Sequence, residues 1–151
     1  LLDGDALSIL GPRLVPLTHA RSGATILTPH DGEFAALTGA PPGPDRVACA
    51  RTLAAESGAI VLLKGPCTVI AEPNGDVMLS IAGDQRLATA GTGDVLAGVI
   101  GALAAQGMAP AMAAGLGSEF HGRAAMMARP VGMIATDLID HLMMLEDPQD
   151  G

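Results

Sequence analysis

Four segments of this 151-residue chain carry residue types that can do chemistry. The most informative is Ala90-Gly91-Thr92-Gly93-Asp94-Val95-Leu96-Ala97-Gly98. Gly91 and Gly93 allow positive φ and close approach of backbone to a ligand. A helix starting here would aim free N–H groups at whatever precedes it, a ready anion site. Asp94, read as the first helical residue, could then take a proton from a hydroxyl held beside that anion, as a phosphoryl acceptor requires. The same residues also fit a plain turn with Asp94 capping the helix. The segment is not the dinucleotide pattern, because Leu96 stands where a third glycine belongs. It is not a Walker A loop, because no Gly-Lys-Ser/Thr follows.

Lys64-Gly65-Pro66-Cys67-Thr68 follows the apolar run Ile60 to Leu63. A lysine at the C-terminal end of a buried parallel strand stands where α/β proteins bind ligands. It is the only lysine in the chain. It could meet a nucleotide phosphate with Thr68 as hydrogen-bond donor, or be a solvated turn residue. Thr28-Pro29-His30-Asp31-Gly32-Glu33-Phe34 follows another strand-like run. There His30 could reach a cleft while Glu33 supports a helix start, or His30 could be structural. Asp3 and Asp5 could hold Mg²⁺ through water, but capping the next helix is the stronger reading. His19, His121 and His141 show no metal-ligand spacing. Met126, Met127, Met133, Met143 and Met144 read as packing residues.

The elements that must position these residues are legible. Asp45 can cap a helix over Arg46 to Ser57 that ends at Gly58. Ile60 to Leu63 is apolar throughout, as in a strand covered on both faces. Thr68 to Ala71 and Val77 to Ile81 flank Pro73-Asn74-Gly75-Asp76 and form a hairpin. Leu1-Leu2 reads as the end of a buried strand, and Thr25 to Thr28 as a short strand halted by Pro29. Short helices fall over Ala6 to Leu10, stopped by Gly11-Pro12, and over Gly32 to Leu37. Longer ones fall over Asp94 to Gln106, Pro110 to Met127 and Asp137 to Leu145. Alternating strands and helices predict an α/β layered domain with a mainly parallel sheet. The tail 146–151 is polar and frays.

Composition excludes several classes. Lys and Arg number 8 against 16 Asp and Glu, for a net charge of −8, and aromatics are 1 %. Such a chain has no basic stripe for phosphodiester backbones and no stacking surface for bases, so nucleic acid is not its partner. Val95 to Ser118 is uncharged and long enough to span a bilayer. Gly107 and Pro110 divide it into two buried helices instead. Cys49 and Cys67 form neither a disulfide framework nor a metal cluster, and no signal peptide opens the chain; the expected location is cytoplasmic.

Taken in order, Leu2-Asp3-Gly4-Asp5-Ala6-Leu7, Thr28-Pro29-His30-Asp31-Gly32-Glu33, Leu63-Lys64-Gly65 with Thr68, and Thr89-Ala90-Gly91-Thr92-Gly93-Asp94 resemble the ADP/ATP-dependent NAD(P)H-hydrate dehydratases of the ribokinase-like superfamily. The helix segments around Leu103 to Gly107 and His121 to Ala125 are similar too. The resemblance implies a three-layer α/β/α domain. Residues 1–145 would be its C-terminal part, with the N-terminal strands and one wall of the substrate site lying outside this sequence. It implies repair of NADHX and NADPHX: phosphorylation of the nicotinamide-ring hydroxyl by ADP or ATP with Mg²⁺, then elimination of phosphate. Asp94 matches the catalytic base, His30 a contact to the hydrated dinucleotide, and Lys64, Gly65, Pro66, Cys67, Thr68 and Gly93 the adenine-nucleotide site. Gly91, Thr92 and Gly93 would frame the anion hole. Homo-oligomers and an epimerase domain or partner are further implications. Gly4 stands where the family has Ala, Ala90 where it often has Gly, and Pro66 removes one N–H from the nucleotide loop. The alternatives are a ribokinase-like kinase of vitamin precursors and an inactive nucleotide-binding fragment.

Overall fold

A computed structural model describes residues 1–144. The predicted tail and the last residue of the final predicted helix lie outside the described residues. The described residues form seven α-helices and four strands. They are α1 (Asp5–Leu10), α2 (Leu14–His19), β1 (Ile26–Leu27), α3 (Asp31–Thr38), α4 (Arg46–Ser57), β2 (Ile60–Leu63), β3 (Thr68–Ala71), β4 (Val77–Ser80), α5 (Thr92–Ala105), α6 (Pro110–Met127) and α7 (Ala135–Leu142).

The sheet runs in the order β1-β2-β3-β4. β1 and β2 are parallel, with Ile26 opposite Ile60, while β2–β3 and β3–β4 are antiparallel. The sheet is therefore mixed rather than mainly parallel, because the tight turn after Ala71 returns the chain directly and leaves no room for a crossover. Glu72 and Gly75, the latter at φ +95°, close that turn through Glu72 N–H to Asp76 O and Gly75 N–H to Glu72 O.

Alternation along β2 builds the layers. Val61 and Leu63 pack with Leu7, Phe34, Leu53 and Val69 on one face. Ile60 and Leu62 pack with Ile70, Leu96 and Ile100 on the other. Successive strand residues point to opposite faces, so four consecutive buried apolar residues require a helical layer on each side. α5 and α6 cross closely because Gly117 has no side chain: a Cβ there would stand 2.7 Å from Ile100 Cγ1.

Several local expectations change. Leu1-Leu2 contributes only an isolated parallel bridge from Leu2 to Leu27, and Leu1 is exposed. Gly11-Pro12 ends α1, but the chain continues through a 3₁₀ turn (Gly11–Arg13) into α2, which the sequence did not announce. Pro16 sits in the first turn of α2, where a missing N–H is tolerated. Thr18 then ties α2 to the end of α4 through Ser57 O at 2.6 Å. α5 starts at Thr92 rather than Asp94. α7 begins two residues earlier than expected. Of the five methionines read as packing residues only Met133 is buried; Met126, Met127, Met143 and Met144 are exposed on α6 and just after α7. No described helix is long and apolar enough to cross a membrane. Val95 to Ser118 is divided between α5 and α6, as the Gly107 and Pro110 signals require.

Candidate functional site

The C-terminal ends of β1 and β2 and the N-termini of α3 and α5 converge on one cleft of about 760 Å³. That volume falls within the usual range for small-molecule sites. His30, Lys64, Gly65, Pro66, Thr68, Thr92 and Gly93 all line it. Of the remaining sequence candidates, Gly91, Cys67 and Asp94 are not part of the lining.

The floor is ionic. Lys64 Nζ lies 2.9 Å from Asp3 Oδ1 and 3.6 Å from Glu33 Oε2, and all three side chains are largely buried. Thr28 Oγ1 also donates to Asp3 Oδ1, at 2.7 Å. Lys64 is thus not a free cation aimed at a ligand; one ammonium between two carboxylates leaves the trio formally anionic. Asp3 is no helix cap either, since Lys64 and Thr28 claim its carboxylate and Gly4 occupies the cap position of α1 without a side-chain bond. Asp5 is the first residue of α1 and is exposed.

α3 begins with a complete capping box. His30 Nδ1 accepts from Gly32 N–H at 3.0 Å and Glu33 N–H at 3.1 Å. Glu33 Oε2 accepts from His30 N–H at 2.8 Å. Those bonds need an unprotonated Nδ1, so a neutral His30 carries its ring proton on Nε2.

α5 begins differently. Its N-cap is Gly91 at φ +86°, with no side-chain cap. Thr92 N–H reaches Thr89 O and Val95 N–H reaches Gly91 O. The N–H groups of Gly93 and Asp94 have no partner among the described residues. Gly93 faces the ionic floor: a Cβ added there would stand 3.5 Å from Lys64 Nζ and 3.9 Å from Asp3 Oδ2. Asp94 occupies the third helical position, not the first. It is exposed and unpaired among the described residues.

Two further walls were not anticipated. The segment after β4 contributes Ala82, Gly83, Asp84, Gln85, Leu87, Ala88 and Thr89. Arg86 pins this segment: it forks onto Asp84 and donates to Ala128 O at 2.6 Å, beyond the end of α6. That guanidinium holds the Asp84 carboxyl at about 2. Gly122 lets the segment touch α6, since a Cβ there would meet the Ala82 carbonyl carbon at 2.5 Å. α6 adds Ser118 and His121. His121 is buried, and its Nε2 bonds Thr92 O at 2.8 Å. Burial pushes its pKa below the ordinary 6.5; the Thr92 carbonyl opposes this and the Lys64 charge reinforces it. The imidazole is therefore neutral at pH 7, with Nε2–H the donor. The available signal was Ser118 and His121, three apart and so on one face of a helix whose charged residues, Glu119 and Arg123, pair with each other.

Chemically, the cleft joins unpaired helix N–H groups, a carboxylate beside them and a mixed apolar and polar lining. It can seat an anion against α5 and present a hydroxyl to Asp94. Among the described residues no group of three or more His, Cys, Asp or Glu could hold a metal ion. Mg²⁺ held with nucleotide phosphates takes one or two carboxylates and keeps several waters, so it needs no protein-built cage.

The family described as NAD(P)H-hydrate dehydratase matches residues 1–144, essentially the whole chain. The chain belongs to this family. A bifunctional NAD(P)H-hydrate repair enzyme of Mycobacterium leprae is 51 % identical over 128 residues, 85 % of this chain and 27 % of that protein. The ADP/ATP-dependent NAD(P)H-hydrate dehydratase of Bacillus subtilis, crystallised with ATP/Mg²⁺, superposes with a TM-score of 0.85 at 35 % identity. That match covers 95 % of this chain and 52 % of that one. A hydroxyethylthiazole kinase from Pyrococcus horikoshii, with a TM-score of 0.67 at 21 % identity, covers 97 % of this chain and 59 % of its own, and shares the fold alone. The ribokinase-like α/β expectation is thus borne out, with a mixed sheet and helices on both faces. The chain spans about a quarter of the bifunctional relative and about half of the B. subtilis enzyme.

Proposed function

We propose that the whole protein repairs hydrated NADH and NADPH at the expense of ADP or ATP. The observation that carries this reading is the open N-terminus of α5. The N–H groups of Gly93 and Asp94 have no partner among the described residues, and Gly93 lines a cleft that also holds Lys64, Gly65, Thr68 and His30, in a chain of the dehydratase family.

In this reading the α5 N–H groups hold the transferring phosphoryl oxygens. They supply the positive potential that Lys64, neutralised by Asp3 and Glu33, does not. Lys64 instead sets the position of the Gly65 to Thr68 loop along the nucleotide. Asp94 takes the proton of the ring hydroxyl as its oxygen bonds to the terminal phosphorus and the phosphoanhydride bond breaks. The C–O bond then breaks, phosphate leaves with that electron pair, and release of a ring proton to water restores the dihydropyridine. Phosphoryl transfer asks mainly for positioning and charge stabilisation, which a helix N-terminus and one base provide. His30 Nε2 lies 3.4 Å from Glu33 Oε1, and in this reading its N–H turns to the hydrated dinucleotide while Nδ1 stays in the helix cap. Mg²⁺ would travel with the nucleotide phosphates. Residues 1–145 act as the C-terminal part of the catalytic domain. The whole protein works in the cytoplasm, as a homo-oligomer, beside an epimerase domain or partner acting on the same substrate.

The test is recovery of reduced-nicotinamide absorbance when the whole protein meets hydrated NADPH, ADP or ATP and Mg²⁺. Nucleotide-dependent recovery is the expected result. No recovery, with phosphorylation of a thiazole or pyrimidine alcohol instead, would replace this reading with a vitamin-precursor kinase.

A further inference from the structure

Arg46 does not line the cleft, yet it contacts Asp31, next to His30, and the carbonyl of Lys64, two places at the cleft's edge. It is the first residue of α4, behind the Asp45 cap. Its Nη1 lies 2.9 Å from Asp31 Oδ1, next to His30 at the start of α3. Its Nη2 donates to the Lys64 carbonyl at 2.7 Å. The guanidinium lies over Gly65, where an added Cβ would stand 2.7 Å from Nη2, 3.1 Å from Cζ and 3.3 Å from Nε. Gly65 is not among the glycines with positive φ. Its lack of a side chain therefore serves the close approach of Arg46, not a left-handed turn. The arrangement also carries a cost: Nε is buried with no partner among the described residues. Unmet buried donors are uncommon, and local costs of this kind are retained mainly at functional sites.

We propose that Arg46 is a positioning residue that locks the Lys64–Gly65 backbone to the N-terminus of α3, so that the nucleotide loop and His30 hold one spacing across the cleft. The planar fork matters, because two partners in different directions are reached from one rigid group. A lysine ammonium offers a point charge on a flexible stem. This proposal rests on reading Lys64 to Thr68 as the nucleotide loop.

The experiment compares Arg46→Ala, Arg46→Lys, Gly65→Ala and the Arg46→Ala/Gly65→Ala double variant in the whole protein. It reads the ATP dissociation constant by calorimetry, KM and kcat by NADPH recovery, and the melting temperature. Arg46→Ala should weaken ATP binding about tenfold, the loss of one charge-assisted contact's worth of order, with kcat changed less than about threefold. Gly65→Ala displaces the guanidinium and should weaken ATP binding to a similar degree. The double variant should be no worse than either single one, since both remove one interaction. Arg46→Lys should restore the melting temperature but not ATP affinity. Unchanged ATP affinity in Arg46→Ala, or additive losses in the double variant, would overturn the proposal. Should Arg46→Ala fail to fold, Gly65→Ala decides alone, and wild-type affinity there overturns it. Failure of the unmutated protein to bind ATP would refute the functional reading and this proposal with it. Normal binding by both wild type and variants would refute this proposal only.

Discussion

Two helix N-termini face the same cleft, and they are finished in opposite ways. α3 is closed: His30 Nδ1 accepts from two backbone N–H groups, and Glu33 returns the bond to His30 N–H. α5 is open: a glycine caps it, and the N–H groups of Gly93 and Asp94 are left unpartnered among the described residues. A helix start carries about half a positive charge in its free N–H groups. Satisfying them from within spends that charge on stability, whereas leaving them free reserves it for a ligand. Under the proposed function the open end of α5 takes the anion, while α3 holds His30 and Glu33 in place.

The largest stability effect should come from the ionic floor between the two helices. Lys64→Met strands Asp3 and Glu33, whose side chains are 13 % and 8 % exposed, without their cation. Denaturant unfolding should show a loss of about 2–3 kcal/mol, less than for a fully buried pair because Lys64 is partly exposed. A loss below about 0.5 kcal/mol would make the floor a surface feature. Next comes the α3 cap. His30→Ala should cost about 1 kcal/mol, with His30→Asn recovering most of it. If both variants were as stable as wild type, the two N-termini would not differ in the way described.

The smallest effect is a pH dependence from His121, which bonds the first turn of α5 through Thr92. Its folded pKa is lowered from 6.5, chiefly by burial. The unfolded chain therefore binds the proton more readily. The His121 contribution is complete above pH 6.5 and is lost as pH falls from 6.5 toward the folded value. His121→Gln should flatten this part of the stability curve. An unchanged slope would place the titration elsewhere.

Much of this was legible in the sequence, for identifiable reasons. α4 follows from Asp45 and Gly58, and β2 from four consecutive apolar residues, because caps and runs are local signals. Pro110 marks the start of α6, where its missing N–H is not needed. His30 and Lys64 are legible from their places after strands and Gly93 from a helix start, while their sharing one site comes from the family resemblance. Partnership was not legible. Lys64 looked like a free cation because Asp3 is 61 positions away, and only the fold brings them together. The roles of Arg86 and His121 were not legible for the same reason: their partners, Ala128 O and Thr92 O, are backbone atoms distant in sequence. α2 was missed because Gly11-Pro12 reads as a stop, although prolines early in a helical turn are tolerated. The sheet was read as mainly parallel because the strand alternation was weighted above the hairpin.

The central claim is that the open start of α5 binds the anion while Asp94 beside it does the proton chemistry. Asp94→Asn in the whole protein tests both halves at once, by NADPH recovery and by ATP calorimetry on the same preparation. The account predicts a fall in kcat of about 10²–10⁴-fold, the range for losing a general base. ATP affinity should stay within about threefold of wild type, because the backbone N–H groups remain. Recovery at the wild-type rate would contradict the assignment of Asp94, and with it the functional meaning given to the open helix end.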